Sequence, residues 1–258
     1  MSEPSVSVVI PTCERPDLVR RAIGCVQAQT VPVELIVIDD GDRSGPSAAR
    51  NRGIEQASCA WVAFLDDDDL WAPEKLALQL AALERSRDSG WVATGAVLLD
   101  HDLRPIRLYP PPVAGDVAER FRLRNHLIAG ASSVLARTEL VRAVGGFDES
   151  LTVLEDWDLW IRLADASPLA TIGEPVVGYQ RRPGGRSHDV AAIAAAFPRV
   201  AAKHGLEIDR SWELLYRGEM HRRAGDRIGA ARLFLEHHGA EQDRRSLARA
   251  IRALCGPA

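Results

Sequence analysis

The sequence predicts an α/β protein built around a central, mostly parallel sheet. Two observations carry this prediction. Short apolar runs alternate with segments whose apolar residues recur at helical spacing, which is the order that a doubly wound parallel sheet requires. The apolar runs also end in polar loops, at the sheet edge where such folds bind ligands. The chain has 258 residues, enough for one large domain or for one domain with an appendage.

The first third of the chain supplies three strand–helix pairs. The predicted strands lie at 6–10, 33–39 and 61–66, and a helix follows each of them, at 17–29, 47–57 and 74–86. Pro16 and Pro73 stand just before the first and the third helix. Proline is favoured at such positions because its backbone is already set for the first helical turn.

The pattern changes after about residue 100. The Pro-rich segment 101–116 is predicted to be a loop over the sheet. The further expected elements are a strand at 129–136, a helix at 138–144, a turn at Gly145-Gly146, a helix at 155–166, a strand at 175–180 and a Gly/Arg-rich loop at 181–189. From about residue 190 the chain is predicted to be helical, with a helix–turn–helix hairpin at 222–238.

Composition and charge argue against several classes of protein. The net charge is −4, so no general basic surface is expected for nucleic acid or for an anionic membrane. The four cysteines form no Cys-x-x-Cys or Cys/His cluster, which argues against a zinc site. Neither a signal peptide nor an apolar run of the ~18 residues that a membrane span needs is present. A cytoplasmic location is therefore expected.

Four consecutive aspartates, residues 66–69, follow the third predicted strand. An Asp-x-Asp pair offers hard oxygen ligands from one short segment, which Mg²⁺ and Mn²⁺ prefer. Asp66 and Asp68 are therefore candidate metal ligands. The alternative is a charged turn in which Asp69 caps the helix that follows, and both interpretations can hold together.

The end of the second strand and the start of the helix after it contain candidate binding residues. Asp39 and Asp40 end the second strand and could accept hydrogen bonds from a ribose or a base, or could simply form a tight turn. Arg50 and Asn51 open the next helix, where they could reach a diphosphate or belong to the surface of the helix.

The segment "LEDWDLWIRL" (154–163) contains a candidate general base, Asp156. An alcohol is a poor nucleophile at neutral pH, and a positioned carboxylate can take its proton as bonds change. The alternative is that Glu155, Asp156 and Asp158 are first-turn acids favoured by the helix dipole, while Trp157 and its apolar neighbours pack the core.

Taken together, these segments resemble glycosyltransferase family 2. The matching stretches, in the order expected for that family, are "VSVVIPTCERPDLVRRAI", "VELIVIDDGD", "ARNRGIEQA", "WVAFLDDDDLWAPEKL", "VRAVGGFDES" and "EDWDLWIRLA", which cover most of residues 5–165. The resemblance implies a GT-A (Rossmann-like) three-layer sandwich with a helical C-terminal extension. It also implies an inverting, metal-dependent transfer of a sugar from a nucleoside-diphosphate sugar to an acceptor hydroxyl.

The resemblance also assigns roles to individual residues. Asp68, with Asp66, would bind the divalent ion, Mn²⁺ or Mg²⁺, and Asp66 or Asp67 would lie near the ribose. Asp156 would be the general base, with Glu155 and Trp157 beside it. The residues expected around the nucleotide are Pro11, Thr12, Glu14, Asp39, Asp40, Arg50 and Asn51. The loop 181–189 could close over the diphosphate with Arg186 or His188 assisting, and the alternative is an ordinary surface loop. Cys13 departs from the family, in which an aromatic residue often stacks on the base at this place.

The resemblance divides the chain by role. Residues 1–100 are predicted to bind the nucleotide sugar, 101–190 to bind the acceptor and complete the same domain, and 191–258 to form a helical tail. The expected partners are a UDP- or dTDP-sugar, a small-molecule or glycan acceptor, and a second copy bound through the tail. No nucleic acid is expected.

Two alternatives stay open. One is a metal-dependent phosphatase or nucleotidyltransferase, although Leu70 stands at the fifth position where a phosphatase Asp-x-Asp motif carries Thr or Val. The other is a degenerate module that only holds a nucleotide and uses its helical tail for partners.

Overall fold

The structure, a computed structural model, describes residues 5–123, 125–180, 189–206, 210–241 and 244–255. The chain divides into two compact units, Met1–Arg182 and Pro183–Ala258. The predicted loop residues Arg186 and His188 lie outside the described residues, so their expected position over a diphosphate stays a prediction.

The first unit contains an eight-stranded sheet among its described residues. The strands are β1 (Val6–Thr12), β2 (Val33–Asp39), β3 (Trp61–Phe64), β4 (Leu70–Trp71), β5 (Trp91–Leu99), β6 (Pro105–Tyr109), β7 (Val134–Arg137) and β8 (Leu169–Gln180). Their order is β2-β1-β3-β7-β5-β8-β4, and β6 pairs with β5.

The longest strand pairings in this sheet are parallel. Strand β1 pairs with β2 over seven residues and β5 pairs with β8 over eight, while β3 also runs parallel to β1. The short pairings made by β4, β6 and β7 are antiparallel. The mostly parallel sheet predicted from the alternating apolar runs is therefore confirmed.

Helices cover both faces of β1. The helices of the first unit are α1 (Pro16–Gln27), α2 (Pro46–Gln56), α3 (Lys75–Arg85), α4 (Ala118–Leu123), α5 (Thr138–Ala143) and α6 (Glu155–Ala166), with a 3-10 turn at Gly130–Ser133. Val8 of β1 belongs to the buried cluster that includes residues of α1 and α3. Its neighbour Val9 faces α2, since a Cβ added at Gly53 would overlap the Val9 side chain. Successive strand residues point to opposite faces, so these contacts define three layers.

The second unit is helical, as predicted. It contains α7 (Val190–His204), α8 (Arg210–Arg223), α9 (Arg227–Glu241) and α10 (Arg244–Cys255). The predicted hairpin at 222–238 is confirmed as the junction of α8 and α9, which turns at Gly225 with a φ of 83°. Helices α9 and α10 share a small apolar core formed by Ala230, Ala231, Phe234, Ala250 and Ala253.

Several parts of the first unit differ from the sequence-based expectation. The strand expected at 175–180 begins earlier, at Leu169. The segment 101–116 is not only a loop, because it contains β6, which begins at Pro105, a position where an edge strand tolerates proline. Strand β5 was not predicted from the sequence. Its residues are mostly apolar without alternation, a pattern that does not distinguish a buried strand from a buried helix. The strand expected at 129–136 begins as the 3-10 turn and becomes extended only at Val134.

No helix in the described part of the chain is long and apolar enough to cross a membrane.

Candidate functional site

The loops after β1, β2 and β3 meet at one edge of the sheet, as their strand order predicts. The backbone N–H of Asp40, after β2, donates to the carbonyl of Thr12 at the end of β1 over 2.7 Å. The Thr12 hydroxyl in turn donates to Asp67 Oδ2 over 2.8 Å. One threonine therefore connects the three loops through direct hydrogen bonds.

The four-aspartate loop alternates between partly exposed and buried side chains. Asp66 and Asp68 are partly exposed, whereas Asp67 and Asp69 are buried. Asp69 does not cap α3, contrary to the structural alternative, because its carboxylate accepts the backbone N–H of Gln180 at the end of β8 over 3.1 Å. Its burial raises the pKa of Asp69 well above the usual range. The first and third acids of the loop are thus the ones a ligand can reach.

Asp67 is a buried acid with a basic neighbour that sequence reasoning did not single out. Arg15 Nη2 lies 2.8 Å from Asp67 Oδ1, and Arg15 Nη1 lies 3.6 Å from Asp68 Oδ2. Burial is the largest effect and raises the pKa of Asp67 to about 6, although the Thr12 hydrogen bond and the Arg15 charge lower it. The arginine therefore supplies positive charge beside the Asp-x-Asp segment. Its place directly after the first strand, in "TCERP", was the available signal.

Arg50 joins the aspartate loop to the helix that carries the candidate base. Its guanidinium is buried and donates to Asp66 Oδ1 over 2.6 Å and to Glu155 Oε1 over 3.1 Å. It also lies over the Phe147 ring, 5.1 Å from the centroid. Burial alone would lower the pKa of Arg50, but the two acids raise it above its ordinary value. In this arrangement Arg50 serves an internal ion-pair network rather than pointing at a diphosphate.

Asn51 also has internal partners. Its amide nitrogen donates to the carbonyl of Phe147 and to Glu149 Oε1, over 2.9 and 2.8 Å, and its oxygen accepts the Phe147 N–H over 2.8 Å. These bonds hold the loop that follows the Gly145-Gly146 turn, where both glycines have positive φ. Contact with a diphosphate would require Asn51 to exchange them.

The two acids after β2 have different environments. Asp40 is buried, and its carboxylate accepts hydrogen bonds from Ser44, from the Gly45 N–H and from Arg52. Burial, the largest single effect, raises the pKa of Asp40, but these hydrogen bonds together lower it to about 2. The side chain of Asp39 is exposed. Asp40 therefore shapes the loop, and Asp39 is the acid that faces solvent.

The predicted nucleotide residues at the end of β1 differ in their exposure to solvent. Pro11 and Thr12 are buried within the strand, and Glu14 is exposed just beyond it. Glu14 adopts a φ of 53°, a left-handed backbone conformation that non-glycine residues seldom take. Its carboxylate pairs with Arg43 of the neighbouring loop over 2.7 Å.

Asp156 sits in the first turn of α6 with both oxygens held. Asp156 Oδ1 accepts the Trp157 N–H over 2.7 Å, and Oδ2 accepts from Asn125 Nδ2 over 3.2 Å. Leu154 precedes the helix with a φ of 64°, a strained conformation for a large side chain. Burial, the largest effect, and the charge of Glu155 raise the pKa of Asp156 to about 7. The site therefore holds a carboxylate whose proton affinity suits acid–base chemistry near neutral pH.

The 3-10 turn Gly130–Ser133 contacts both Asp156 and the aspartate loop. A Cβ at Gly130 would lie 3.1 Å from Asp156 Oδ2, so this glycine leaves room beside the carboxylate. The Ser132 hydroxyl accepts the Asp66 N–H over 3.1 Å. Trp157 is buried and donates its indole N–H to the carbonyl of Phe121, which ties α6 to α4. Asn125 and Ser132 are site residues that motif reading missed, because neither lies in a recognisable pattern.

Within the described ranges, only one group of three side chains of the types that bind metals (His, Cys, Asp or Glu) lies close together. This group belongs to a turn at the surface. Asp100, His101 and Asp102 bring ligand atoms within 4.8 Å of one another between β5 and β6. Asp100 Oδ1 accepts the N–H groups of Asp102 and Arg104, which are the bonds of a tight hairpin turn. These local bonds account for the cluster without an ion.

Comparisons with known proteins point to one family. The family model for "Glycosyltransferase like family 2" matches residues 22–184. An uncharacterized glycosyltransferase of Rickettsia typhi is 27% identical over 191 residues, which cover 64% of this chain and 60% of the relative. Glycosyltransferase AglE of Haloferax volcanii is 27% identical over 221 residues, covering 70% of this chain and 69% of that protein. The chain spans between 32% and 60% of the length of the first curated relatives.

Solved structures of S. aureus TarS share the fold. TarS 1-349 in complex with UDP has a TM-score of 0.55 at 15% identity and covers 98% of this chain and 92% of that one. The TarS 1-349 complex with UDP-GlcNAc has a TM-score of 0.56 at 15% identity. The match covers 97% of this chain and 79% of the TarS chain. The likeness confirms the predicted GT-A fold. Because the family model matches more than half of the chain, this protein belongs to the glycosyltransferase-like family 2.

The Arg50 network makes a prediction for stability. Replacing Arg50 with Gln leaves Asp66 and Glu155 facing each other without a cation, so unfolding free energy should fall by about 3–5 kcal/mol. Chemical denaturation measures this change. Arg43→Gln removes an exposed ion pair with Glu14 and should change stability by no more than about 1 kcal/mol. Equal effects of the two substitutions would contradict the assigned role of Arg50.

Proposed function

We propose that this chain is an inverting, metal-dependent glycosyltransferase that moves a sugar from a nucleoside-diphosphate sugar to an acceptor hydroxyl. The observation that carries the proposal is the Asp156 carboxylate, with its pKa of about 7. The Arg50 network ties its helix to the aspartate loop through Glu155 and Asp66. The candidate base and the aspartate loop, which is the proposed metal site, are thus tied together, as a single-displacement transfer requires.

In the proposed reaction, Asp156 removes the proton of the acceptor hydroxyl as the acceptor oxygen bonds to the anomeric carbon. The bond from that carbon to the diphosphate oxygen breaks on the opposite face, and the nucleoside diphosphate leaves with the electron pair. Because the acceptor attacks the face opposite the leaving diphosphate, the configuration at the anomeric carbon is inverted. The proton remains on Asp156 Oδ2, the oxygen beside Gly130, until it passes to solvent.

The proposed nucleotide site lies at the ends of β1 and β2. Asp39, which is exposed, would accept hydrogen bonds from the base or ribose, while buried Asp40 holds the loop beneath it. Pro11, Thr12 and Glu14 would line the pocket. A uridine or thymidine diphosphate sugar is the proposed donor, and the UDP complex of TarS supports the uridine choice.

Asp66 and Asp68 are the proposed ligands of the divalent ion, Mg²⁺ or Mn²⁺. Both are partly exposed carboxylates of one short segment, so the donor set suits a hard cation. Such an ion would neutralise the charge that grows on the leaving diphosphate. Arg15, which lies beside Asp67 and Asp68, is proposed to supply part of this positive charge in the metal-free protein. Residues 101–190 are the proposed acceptor-binding half.

Loss of Asp156 tests the proposed chemistry. Asp156→Asn should lower turnover at least about 100-fold, because the variant cannot accept a proton, while the affinity for nucleoside diphosphate stays within about twofold. The assay follows nucleoside-diphosphate release from a panel of UDP- and dTDP-sugars with mixed saccharide acceptors. Asp165→Asn is the matched control, since Asp165 lies on the same helix and pairs at the surface with Arg122. Release of inorganic phosphate without any acceptor would instead favour the phosphatase alternative.

The pH dependence of the reaction follows from the same carboxylate. Asp156 must be ionised to act as a base, so kcat/KM should rise with pH and level off above its pKa of about 7. Asp165→Asn should keep this profile. A profile that is flat between pH values of about 5 and 8 would exclude Asp156 as the base with this pKa.

Removing Arg15 should strengthen metal binding. Without its guanidinium, Asp67 and Asp68 lose a competing cation, so Arg15→Gln should bind Mn²⁺ about two- to fivefold more tightly, a modest factor because the side chain is half exposed. Calorimetric titration of Mn²⁺ without nucleotide gives the comparison. Arg20→Gln, which removes an exposed pair with Asp17, should leave the affinity unchanged. Weaker Mn²⁺ binding by Arg15→Gln would refute the assigned competition.

A further inference from the structure

The last helix of the chain, α10, differs in charge from the protein as a whole. Its sequence, "RRSLARAIRALC", contains four arginines and no acid, in a chain whose net charge is −4. Attraction to an anionic partner would therefore be local, because charges more than about 8 Å apart are largely screened at physiological salt.

One face of α10 is used inside the second unit. Ser246, Ala250 and Ala253 are buried, at a spacing that places them on one side of a helix. The two alanines pack in the small apolar core with Phe234 of α9. Small side chains therefore anchor the helix within the second unit, and its larger apolar side chains do not take part in this packing.

The larger apolar side chains of α10 form an exposed stripe. Leu247, Ile251 and Leu254 are 37%, 55% and 51% exposed, and their spacing of four and three residues aligns them on one side. Arg249 and Arg252 are exposed next to this stripe. Single exposed aliphatic residues are ordinary, but an aligned stripe flanked by arginines is the pattern of a helix that lies in a membrane interface.

The charge of α10 discriminates among the surfaces that could cover this stripe. A second copy of the same helix would bring its Arg249 and Arg252 toward those of the first, so like charges oppose that pairing. Single-stranded nucleic acid is bound by a basic groove combined with aromatic side chains that stack on the bases, and the exposed apolar residues of this stripe are aliphatic. An anionic bilayer offers acyl chains for the leucines and isoleucine, and phosphate groups for the arginines.

We propose that α10 binds the surface of an anionic phospholipid bilayer, with Leu247, Ile251 and Leu254 inserted among the acyl chains and Arg249 and Arg252 at the phosphates. The binding is peripheral and reversible, because the helix has 12 residues and spans only about 18 Å. This inference does not depend on the proposed transferase activity, since it rests on the second unit alone.

Vesicle flotation of the full chain tests the proposal. The chain should float with vesicles of phosphatidylglycerol and phosphatidylcholine and much less with phosphatidylcholine alone. Raising the salt from about 0.01 to about 1 M, which shortens the Debye length from about 30 to about 3 Å, should release it. Equal binding to both vesicle types, or no binding to either at low salt, would overturn the proposal.

Variants of the two exposed residue classes test the geometry. Arg249→Gln/Arg252→Gln should weaken vesicle binding about 30-fold, since each arginine near an anionic surface contributes about a fivefold factor. Ile251→Gln should weaken it about tenfold, because one aliphatic side chain no longer inserts.

Each variant has a matched control in the first unit. Arg85→Gln/Arg87→Gln removes the same charge from two exposed arginines. Ile106→Gln changes an isoleucine that is 56% exposed, against 55% for Ile251. Both controls should bind vesicles as the wild type does. Equal losses in variants and controls would contradict the role of α10. Sedimentation velocity that showed a dimer abolished by Ile251→Gln would assign the stripe to a second copy and overturn the membrane proposal.

Discussion

The buried guanidinium of Arg50 is the interaction on which the rest of the site depends. It lies between Asp66, which follows β3, and Glu155, which opens α6. These segments are 89 residues apart in sequence, and each would carry an uncompensated acid if the cation were absent. A planar guanidinium can serve two carboxylates in fixed directions, which an ammonium group does less well. The network thereby fixes the distance between the acid-rich loop and the candidate base Asp156.

Charge balance explains why four adjacent aspartates are tolerated after β3. Each acid has a different environment: Asp66 pairs with Arg50, Asp67 is buried beside Thr12 and Arg15, and Asp69 binds the backbone of β8. The burial alternates along the loop, so only the first and third acids remain partly exposed. The loop is thus neither a plain charged turn nor four equivalent ligands, because Asp66 and Asp68 combine partial exposure with ion pairs to Arg50 and Arg15. Asp67 and Asp69 are the buried acids of the loop, and Asp66 and Asp68 are the acids that a ligand can reach.

Local patterns predicted most of the fold and some of the site. The predicted bounds of β2 (33–39) and of the helix at 155–166 are those of the structure, because turn residues or first-turn acids mark their ends. Strand β5 was missed because an unbroken apolar run has no period. Asn125 and Arg15 were missed because their roles arise from tertiary contacts with Asp156 and Asp67. Asp39 and Asp40 were predicted alike, but the structure exposes Asp39 and buries Asp40, since adjacent residues of an extended segment point to opposite sides.

The most direct test of the account is calorimetric titration of UDP, dTDP, GDP and CMP, with Mn²⁺ and with a chelator, into the wild type and Asp68→Ala. The account predicts that a uridine or thymidine diphosphate binds in the presence of Mn²⁺, and that binding is lost with chelator and in the variant. Asp17→Ala, at an exposed acid on α1, should bind as the wild type does. Absence of nucleotide binding under every condition, or binding indifferent to both metal and Asp68, would contradict the assignment of the aspartate loop.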